Sequence, residues 1–416
     1  MPTPVHHSRP GGFGIQPASM PEARQLNEFL YMSEGLSSSY LVVTREGRVV
    51  INTGMGFEAP VHKRNYDAVD DGPVRYILLT QAHVDHVGGV DLFREEGTEI
   101  VAHEGNQAYQ DEDALLRRVH GGRSSFAFAA TLAKAAEYGK TSGLGSNAQA
   151  RPTPTLTFSD RYDFELGGIR FELLHVPGGE TTESMAVWLP QHRICLAGNL
   201  FSALFGHVPN LVTIRGDRYR DALAFIDSLE RVLALEPERL LVGHGPPIEG
   251  ADVIRWELEH LRDAVRFLHE ETVKRMNDGV DVWTAMRDIQ LPPELSIGEG
   301  YGKLSWCVRA IYENYLGWFH HESTTELYPV PANSVHGDLV DLVGPDTIAK
   351  RARERLDAQQ PIEAIHLAEV VLNVDPSHGP ALDVSIAAHE QLEAESENFW
   401  MLSWLRREIA TMKERR

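Results

Sequence analysis

Residues 76–89 read Tyr-Ile-Leu-Leu-Thr-Gln-Ala-His-Val-Asp-His-Val-Gly-Gly, so a strand-like apolar run leads directly into two histidines, an aspartate and two glycines. A loop at the end of a strand can turn His83, Asp85 and His86 toward one point, which neither a helix nor a straight strand can do. Two imidazoles and a carboxylate are ligands that Zn²⁺ prefers. We expect the glycines to let the backbone pass close to the ion. The stretch therefore predicts a metal site; the alternative is a polar turn with exposed histidines.

Two further candidate ligands follow other strand-like runs. His244 lies in Leu241-Val-Gly-His-Gly-Pro-Pro247, and Glu180 lies in Val176-Pro-Gly-Gly-Glu-Thr-Thr-Glu183. A lone histidine at the end of a strand would be ordinary, but together with the first cluster His244 becomes a good ligand. The alternative for Glu180 is a solvated carboxylate in a turn.

Short apolar runs separated by glycines continue to about residue 250. Together with a helical pattern over 220–235, they predict an α/β domain built in layers. After Gly250 the apolar residues recur at helical spacing, so an all-α region is expected to follow. The strand-like runs beside 76–80 are 40–44, 48–52, 99–102, 169–174, 185–189 and 240–243.

Charge and composition limit the class of partner. The chain of 416 residues has 39 Lys and Arg against 60 Asp and Glu, a formal net charge of −21. Nucleic acid and anionic membranes repel such a surface, so neither is expected as a partner. A small anionic molecule remains compatible, because a metal and one or two arginines can reverse the field locally.

The sequence also predicts a cytoplasmic location. It has no run of about 18 apolar residues that could span a membrane, and the N-terminal stretch lacks the apolar run of a secretory signal. Cys195 and Cys307 are the two cysteines and lie far apart, so neither a disulfide framework nor a thiolate zinc site is expected.

Changes of pattern predict the domain limits. A flexible N-terminal arm is expected over 1–25, the domain with the metal site over 26–250, and helical regions over 251–344 and 345–416. Within the last region, 361–392 resemble one tetratricopeptide unit, which alone is too short for a solenoid and suggests a docking or dimer element.

An insertion of about residues 121–151, rich in Gly, Ser and Ala, interrupts the strand pattern. We expect a helical segment with a loop at 139–146, serving as a lid or remaining disordered. Its apolar residues Phe126, Phe128 and Leu132 suggest either the lining of an apolar channel or a packed core helix.

The order His-x-Asp-His-x-Gly-Gly, a Pro-Gly loop and Gly-His-Gly resembles the metallo-β-lactamase superfamily, and within it the alkylsulfatases. The Pro-Gly-x-Glu form at 177–180 and the stretch 210–216 are similar to alkylsulfatase motifs, and 291–295, 315–319 and 328–331 resemble their helical dimerisation domain. The resemblance implies an αββα sandwich followed by an all-α C-terminal domain, and a homodimer. We expect the sterol-carrier-like domain of many alkylsulfatases to be missing.

Three positions depart from the family pattern. Gln81 stands where the motif His-x-His-x-Asp-His has its first histidine, and Asn199 stands where a glutamate is expected to bridge two metals. Asn52 replaces the aspartate of a common Asp-Thr-Gly. An amide oxygen binds Zn²⁺ more weakly than an imidazole or a carboxylate. All three changes therefore weaken metal binding.

We therefore expect one tightly held metal at Asp85, His86 and His244. The other position, with His83 and Glu180, is expected to be weakly occupied or empty, and Gln81 and Asn199 are at most weak ligands. Zn²⁺ is the expected ion, and Fe²⁺ or Mn²⁺ is compatible with the same ligands.

The resemblance implies hydrolysis of a sulfate ester by a metal-bound hydroxide, with an apolar chain on the substrate. Asp85 or Glu180 would accept the proton, and Asn210, Thr213 and Arg215 would bind the sulfate oxygens. Three alternatives remain open. The substrate is a lactone, thioester or other carbonyl compound; the two-histidine, one-carboxylate set holds iron for redox chemistry; or the chain is a scaffold whose site has decayed, which the survival of five ligands argues against.

Overall fold

Thirteen strands form two sheets in the part of the chain that this computed structural model describes, residues 3–145 and 147–416. The first sheet has the order β1-β2-β3-β4-β5-β6-β7 and the second the order β13-β12-β11-β10-β9-β8. The strands are β1 Arg24–Gln25, β2 Leu30–Ser33, β3 Ser39–Thr44, β4 Gly47–Ile51, β5 Val74–Leu78, β6 Glu99–His103, β7 Leu156–Phe158, β8 Arg161–Leu166, β9 Ile169–His175, β10 Met185–Leu189, β11 Ile194–Leu196, β12 Arg239–Leu241 and β13 Ile248–Glu249.

The two sheets pack face to face through one apolar core. Val49 and Ile51 of β4 and Val187 of β10 belong to this core, whereas Val50 and Ala186 belong to cores on the outer faces. Side chains that alternate between two covered faces explain why 49–51 of β4 and all of β10 are apolar. The predicted αββα sandwich is confirmed.

Helices cover both outer faces of the sandwich. Tyr66 and Phe93 pack on the first sheet, and Phe225 and Leu258 pack on the second. The helices are α1 Ala59–Asp67, α2 Val84–Val87, α3 Val90–Phe93, α4 Asn106–Thr141, α5 Ala222–Leu233, α6 Ala251–Asn277, α7 Val282–Asp288, α8 Leu304–Leu316, α9 His336–Val343, α10 Pro345–Asp357, α11 Pro361–Leu372, α12 Gly379–Ala394 and α13 Phe399–Arg415.

The chain divides into two compact units, one up to Tyr315 and the other Leu316–Arg416. This division does not coincide with the predicted domain limit at residues 250–251. The reason is that α6 and α8 share a core with the second sheet, through residues such as Leu261 and Ile311. The domain limits proposed from the sequence stay predictions.

The N-terminal segment differs from the flexible arm predicted for 1–25, of which Met1 and Pro2 lie outside the described residues. The backbone N–H of Val5 donates to Glu257 Oε1 at 2.6 Å, and the N–H of Ala18 donates to Glu58 Oε2 at 2.9 Å. Charged side chains of the first unit therefore hold this segment at both ends.

Helix α4 contains the first part of the predicted insertion, 121–141, but begins earlier, at Asn106. Its buried residues are Asn106 and Gln110, and Leu132 is 45% exposed. The packed core helix is therefore wrong as an account of Leu132. The predicted loop at 139–146 includes the end of α4, and its Ser146 lies outside the described residues.

The second unit is helical, as predicted for the C-terminal region. Helices α11 and α12 flank an Asp-Pro turn, and Ala364, Ala368 and Ala388 lie in a small core with Ala352 of α10. Small side chains at these positions let the helix backbones approach closely.

Candidate metal centre

Three side chains meet beyond the carboxyl ends of β5 and β12. Asp85 and His86 lie in the one-turn helix α2 and His244 lies in the loop after β12, so the loop expected at Asp85 and His86 is wrong: one short helical turn suffices to bring both toward His244. The ligand atoms of Asp85, His86 and His244 all lie within 4.8 Å of one another. Asp85 Oδ2 is 3.5 Å from His86 Nε2 and 3.8 Å from His244 Nε2. The grouping predicted from the sequence is therefore present in the structure.

Neighbouring groups orient both imidazoles of this triad. His244 Nδ1 donates to the carbonyl oxygen of Leu36, and His86 Nδ1 lies 3.1 Å from Ser37 Oγ. The Leu36 carbonyl, which can only accept, requires the proton of His244 on Nδ1 and leaves its Nε2 unprotonated, facing the centre of the triad. Such outer contacts are typical of histidines that bind a metal.

Asn199 lies between the two imidazoles. Its Nδ2 donates to His86 Nε2 at 3.1 Å and to His244 Nε2 at 3.0 Å. Burial lowers the pKa of His86 to about 4, even though Asp85 acts in the opposite direction, so this ring is neutral at physiological pH. Its Nε2 therefore has a lone pair to offer.

The donor set fits one divalent cation. It offers a carboxylate and two neutral imidazoles, the ligand types that suit Zn²⁺, Fe²⁺ and Mn²⁺. Among the described residues, Asn199 Oδ1 is one of the buried side-chain oxygens without a hydrogen-bond partner. A Cβ on Gly243 would lie 1.8 Å from that oxygen, so glycine is required beside it.

At the second predicted metal position, the side chains contact one another and two arginines. Gln81 Nε2 lies 2.9 Å from His83 Nδ1, which in turn is 3.8 Å from Glu180 Oε2. Two guanidinium groups contact these residues, because Arg220 Nη2 is 3.1 Å from Glu180 Oε2 and Arg215 Nη2 is 3.2 Å from His83 Nε2. The positive charges of Arg220 and Arg215 thus lie directly beside Glu180 and His83.

This environment keeps His83 neutral. Burial, and after it the charge of Arg215, holds the pKa of His83 well below its ordinary value. Tyr109 Oη lies 2.9 Å from His83 Nε2, and it donates to Asp217 Oδ2 at 3.1 Å. A protonated His83 beside Arg215 is therefore disfavoured.

The three predicted anion-binding residues lie in one loop after β11. Arg220 donates to the backbone carbonyl of Asn210 and pairs with Glu180, so it links this loop to the site. Asn210 Oδ1 and Thr213 Oγ1 are buried and have no hydrogen-bond partner among the described residues. Together with Arg215 they provide polar groups that a ligand can satisfy.

The paired glycines act differently from the expectation. A Cβ on Gly89 would lie 2.5 Å from both the Thr53 carbonyl oxygen and Ala59 Cβ. The close approach is therefore to the loop after β4, not to a metal. Thr53 also receives the N–H of Gly89 on its Oγ1, at 3.1 Å, and so positions the loop that contains Asp85 and His86.

Several residues of the site were missed by the sequence reasoning. Glu183, which accepts the Ala82 N–H at 2.7 Å, ends the Glu180 loop, and its place in that motif was the available signal. Arg220 and Ser37 gave no signal, because neither residue type nor spacing distinguishes them from surface residues.

Comparison with known proteins agrees with this geometry. Residues 32–244 match the metallo-β-lactamase superfamily, and residues 284–413 match the alkyl sulfatase dimerisation family. A linear primary-alkylsulfatase of Pseudomonas sp. is 27% identical over 384 residues, which is 88% of this chain and 72% of the relative. The alkyl/aryl-sulfatase BDS1 of Saccharomyces cerevisiae is 25% identical over 407 residues, which is 92% of this chain and 62% of that protein.

Solved structures show the same fold. The inverting sec-alkylsulfatase Pisa1 of Pseudomonas sp. superimposes with a TM-score of 0.79 at 22% identity, over 93% of this chain and 64% of that chain. This chain thus spans less than two thirds of Pisa1 and of the yeast relative. With the superfamily match over half of its length and the sandwich that supports the triad, the chain belongs to the metallo-β-lactamase superfamily.

Proposed function

We propose that this protein is a metal-dependent hydrolase of sulfate esters that acts on a small anionic molecule with an apolar chain. The observation that carries the proposal is the Asp85–His86–His244 triad within 4.8 Å, close to a pair of arginines that contact the predicted second metal position. The alkylsulfatases among the relatives support the choice of bond.

We propose that Asp85, His86 and His244 hold a single divalent metal, Zn²⁺ in the first instance. The ion would lower the pKa of a water molecule toward neutrality, which is the chemistry that such a site supplies. His83 and Glu180 are poor candidates for ligands of a second ion. Arg220 already compensates the negative charge of Glu180, and Arg215 already donates to Nε2 of His83. A second cation there would also be repelled by both guanidinium groups.

The sulfate group is proposed to bind at Asn210, Thr213 and Arg215. The planar guanidinium of Arg215 can donate two parallel hydrogen bonds to sulfate oxygens, which a lysine cannot do. The Thr213 hydroxyl is buried without a hydrogen-bond partner among the described residues and can donate to a further sulfate oxygen. The unpartnered atom of Asn210 is the acceptor Oδ1, so Asn210 is proposed to contribute through the N–H groups of its Nδ2. Each oxygen of a sulfate is an acceptor, so a set of donors suits it.

Asp85 is better placed than Glu180 to accept the proton of the attacking water. Glu180 is engaged by Arg220 and accepts a hydrogen bond from Ser202 Oγ at 3.3 Å. Burial alone would raise the pKa of Asp85, but His86 and His244 outweigh it and the pKa lies below its ordinary value. Asp85 is therefore ionised and inside the triad, while Glu180 is proposed to help orient Arg220.

The decisive experiment combines metal analysis with a sulfate assay. Protein purified without added metal is expected to contain about one divalent ion per chain, and a medium-chain alkyl sulfate is expected to release inorganic sulfate. His244→Ala should lose both the ion and the activity. His175→Ala is the matched control, because His175 also ends a strand but contacts the Thr182 carbonyl outside the triad.

The result that would contradict the proposal is the absence of sulfate release at any metal loading. The carbonyl hydrolase would then become the preferred alternative, and iron found by elemental analysis would favour redox chemistry. The Thr213 hydroxyl and the Arg215 guanidinium favour sulfate among these options, since both can donate hydrogen bonds to anionic oxygens.

The match of residues 284–413 to the dimerisation family supports a homodimer, which we also propose. Cys195 and Cys307 are both buried and free, as expected without a disulfide framework. The cytoplasmic location stays a prediction.

A further inference from the structure

The N-terminal segment closes one side of a cavity of about 280 Å³ beside the triad. Ile15 and Met20 contribute apolar side chains from this segment, and Ala203, Leu204 and Phe205 contribute them from the loop after β11. His244 itself forms part of the wall. The cavity therefore adjoins the proposed metal site at His244.

Specific contacts attach the N-terminal segment to the loop that contains His244. Arg9 Nη1 donates to the carbonyl oxygen of Pro246 at 2.7 Å, and Nη2 donates to that of His244 at 3.4 Å. The Arg9 guanidinium also lies 5.7 Å from the centre of the Phe205 ring. The segment is thus joined to a candidate ligand loop and to the opposite wall of the cavity.

Helix α4 meets the same segment. Lys134 Nζ donates to Gln16 Oε1 at 2.9 Å, one residue from Ile15. Because α4 and the body of the first unit both contact the segment, the wall that contains Ile15 is held from two sides.

The chemistry of the wall favours an apolar occupant. Its two charged residues have partners of their own, since Arg9 donates to backbone carbonyls and Glu34 lies 3.9 Å from Arg24. The remaining surface is more apolar than polar, although Gln16, Ser19 and Ser38 also line it beside two histidines. The volume lies near the lower end of small-molecule pockets. An alkyl group fits this description better than a second anion does.

We propose that this cavity binds the apolar organic group of the substrate and that the N-terminal segment, through Ile15 and Met20, determines which groups fit. The inference rests on the proposed sulfate ester hydrolysis for the identity of the substrate. It goes beyond it by assigning the selection of the organic group to a segment that precedes the superfamily match at residues 32–244.

Calorimetric titration of the metal-loaded full chain with two unreactive sulfonates tests the proposal. Decane-1-sulfonate should bind with a negative heat-capacity change, as burial of apolar surface requires. Its affinity should exceed that of methanesulfonate by a factor of about four for each methylene group that the cavity buries. Ile15→Trp fills the cavity and should weaken decane-1-sulfonate binding at least about tenfold. It should leave methanesulfonate binding unchanged.

Two further variants keep the test decisive. Ala203→Leu fills the cavity from the opposite wall and should act like Ile15→Trp, even if the tryptophan detaches the N-terminal segment. Phe13→Trp enlarges a side chain of the same segment that is 47% exposed and does not line the cavity, so it should change neither affinity. Wild-type binding of decane-1-sulfonate by both cavity-filling variants would overturn the proposal, and so would failure of the wild type to bind it.

The same experiments separate this proposal from the proposed function. If no sulfate ester is cleaved but the pattern of sulfonate affinities holds, the reaction is wrong and the cavity assignment stands. If alkyl sulfates are cleaved and Ile15→Trp and Ala203→Leu turn over long and short chains like the wild type, the cavity assignment is wrong and the reaction stands.

Discussion

Asn199 is the residue at which this metal centre departs most from a carboxylate-rich site. Its Nδ2 donates to the inward nitrogens of both His86 and His244, so the amide must give up both contacts when a cation binds. A carboxylate at the same place would be a stronger metal ligand than the amide, and it would not compete with the ion for the imidazole lone pairs.

Asn199→Asp should therefore raise the affinity of the triad for Zn²⁺ by about ten- to hundredfold, the range that changes around a metal site produce. Competition with a chromophoric chelator measures this directly. Asn52 was also expected from the sequence to weaken metal binding, but in the structure its side chain bonds with Thr80 rather than with the triad. Asn52→Asp is therefore the control with the same chemical change. Equal affinities of Asn199→Asp and the wild type would show that Asn199 does not face the ion.

Arg215 is the residue on which sulfate recognition is proposed to depend. Arg215→Lys keeps the charge and loses the planar fork, so the KM for an alkyl sulfate should rise by about ten- to hundredfold, the equivalent of one or two charged hydrogen bonds. Steady-state kinetics with the metal-loaded enzyme provide the measurement. Arg218→Lys, in the same loop but paired with Glu112 and with an 80% exposed side chain, should leave KM unchanged. An unaltered KM for Arg215→Lys would remove it from the sulfate site.

At the scale of elements, the N-terminal segment joins the sandwich partly through histidine rings. The ring centres of His6 and His207 lie 5.2 Å apart, and His207 also accepts the Gly300 N–H on Nδ1 at 3.0 Å. Burial, then His7 and His260, lowers the pKa of His6 to about 4. Burial, then His6, Arg9 and His7, likewise lowers the pKa of His207 to about 4.

These shifts predict that attachment of the segment weakens in acid. The folded pKa of each histidine lies below the ordinary value of 6.5, so the detached state binds more protons between pH 6.5 and about 4. Attachment should be complete above pH 6.5 and should be lost progressively as the pH falls toward 4. Glu257, which holds Val5, is the nearby carboxylate that partly offsets the protonated rings.

A dye on Ser8→Cys should report this change as a fall in fluorescence anisotropy between pH 7 and 5, since Cys195 and Cys307 are buried and react poorly. A dye on Glu46→Cys in the exposed β3–β4 turn is the control and should show no change. His207→Asn should flatten the pH dependence. Constant anisotropy of the Ser8 dye over this range would show that the histidines do not govern attachment.

A strand could be predicted from the sequence when it contained or continued an uninterrupted apolar run. Strands β3, β4, β5, β6, β9, β10 and β12 were predicted, because each contains or continues an apolar run. Strands β1 and β13 have two residues each and were missed, because a run of two residues cannot show a repeating pattern of apolar positions. Strand β8 was missed although it has six residues, because three of them, at its exposed positions, are charged and interrupt the apolar run.

At the scale of the whole molecule, apolar side chains of the second unit are exposed where the dimerisation family matches. Tyr328 is 63%, Val330 59% and Leu342 83% exposed. Exposed apolar surface of large side chains marks protein interfaces when it is contiguous, which makes these residues candidates for one. None of the described helices has the length and apolar character needed to cross a membrane. A second copy of this chain is the occupant that the family match favours.

Leu342→Glu should therefore shift the protein from dimer to monomer at micromolar concentration, because a buried unpaired carboxylate in an interface is strongly unfavourable. Sedimentation velocity distinguishes the two species. Val253→Glu, at a 40% exposed position in the first turn of α6, is the control and should remain dimeric. A monomeric wild type would exclude the homodimer, and a dimeric Leu342→Glu would place the interface elsewhere.

From the sequence alone, a layered α/β domain and its main strands could be predicted, because apolar runs and the polar segments that end them are local patterns. The αββα class and the grouping of Asp85 and His86 with His244 depended on the family resemblance and on the order of the motifs, since β5 and β12 lie in different sheets. Only the tertiary structure decided that Arg220 and Arg215 contact Glu180 and His83, and that the N-terminal segment is attached near His244. Those contacts join residues remote in sequence, and an arginine that neutralises a buried carboxylate has the same local pattern as one that faces solvent.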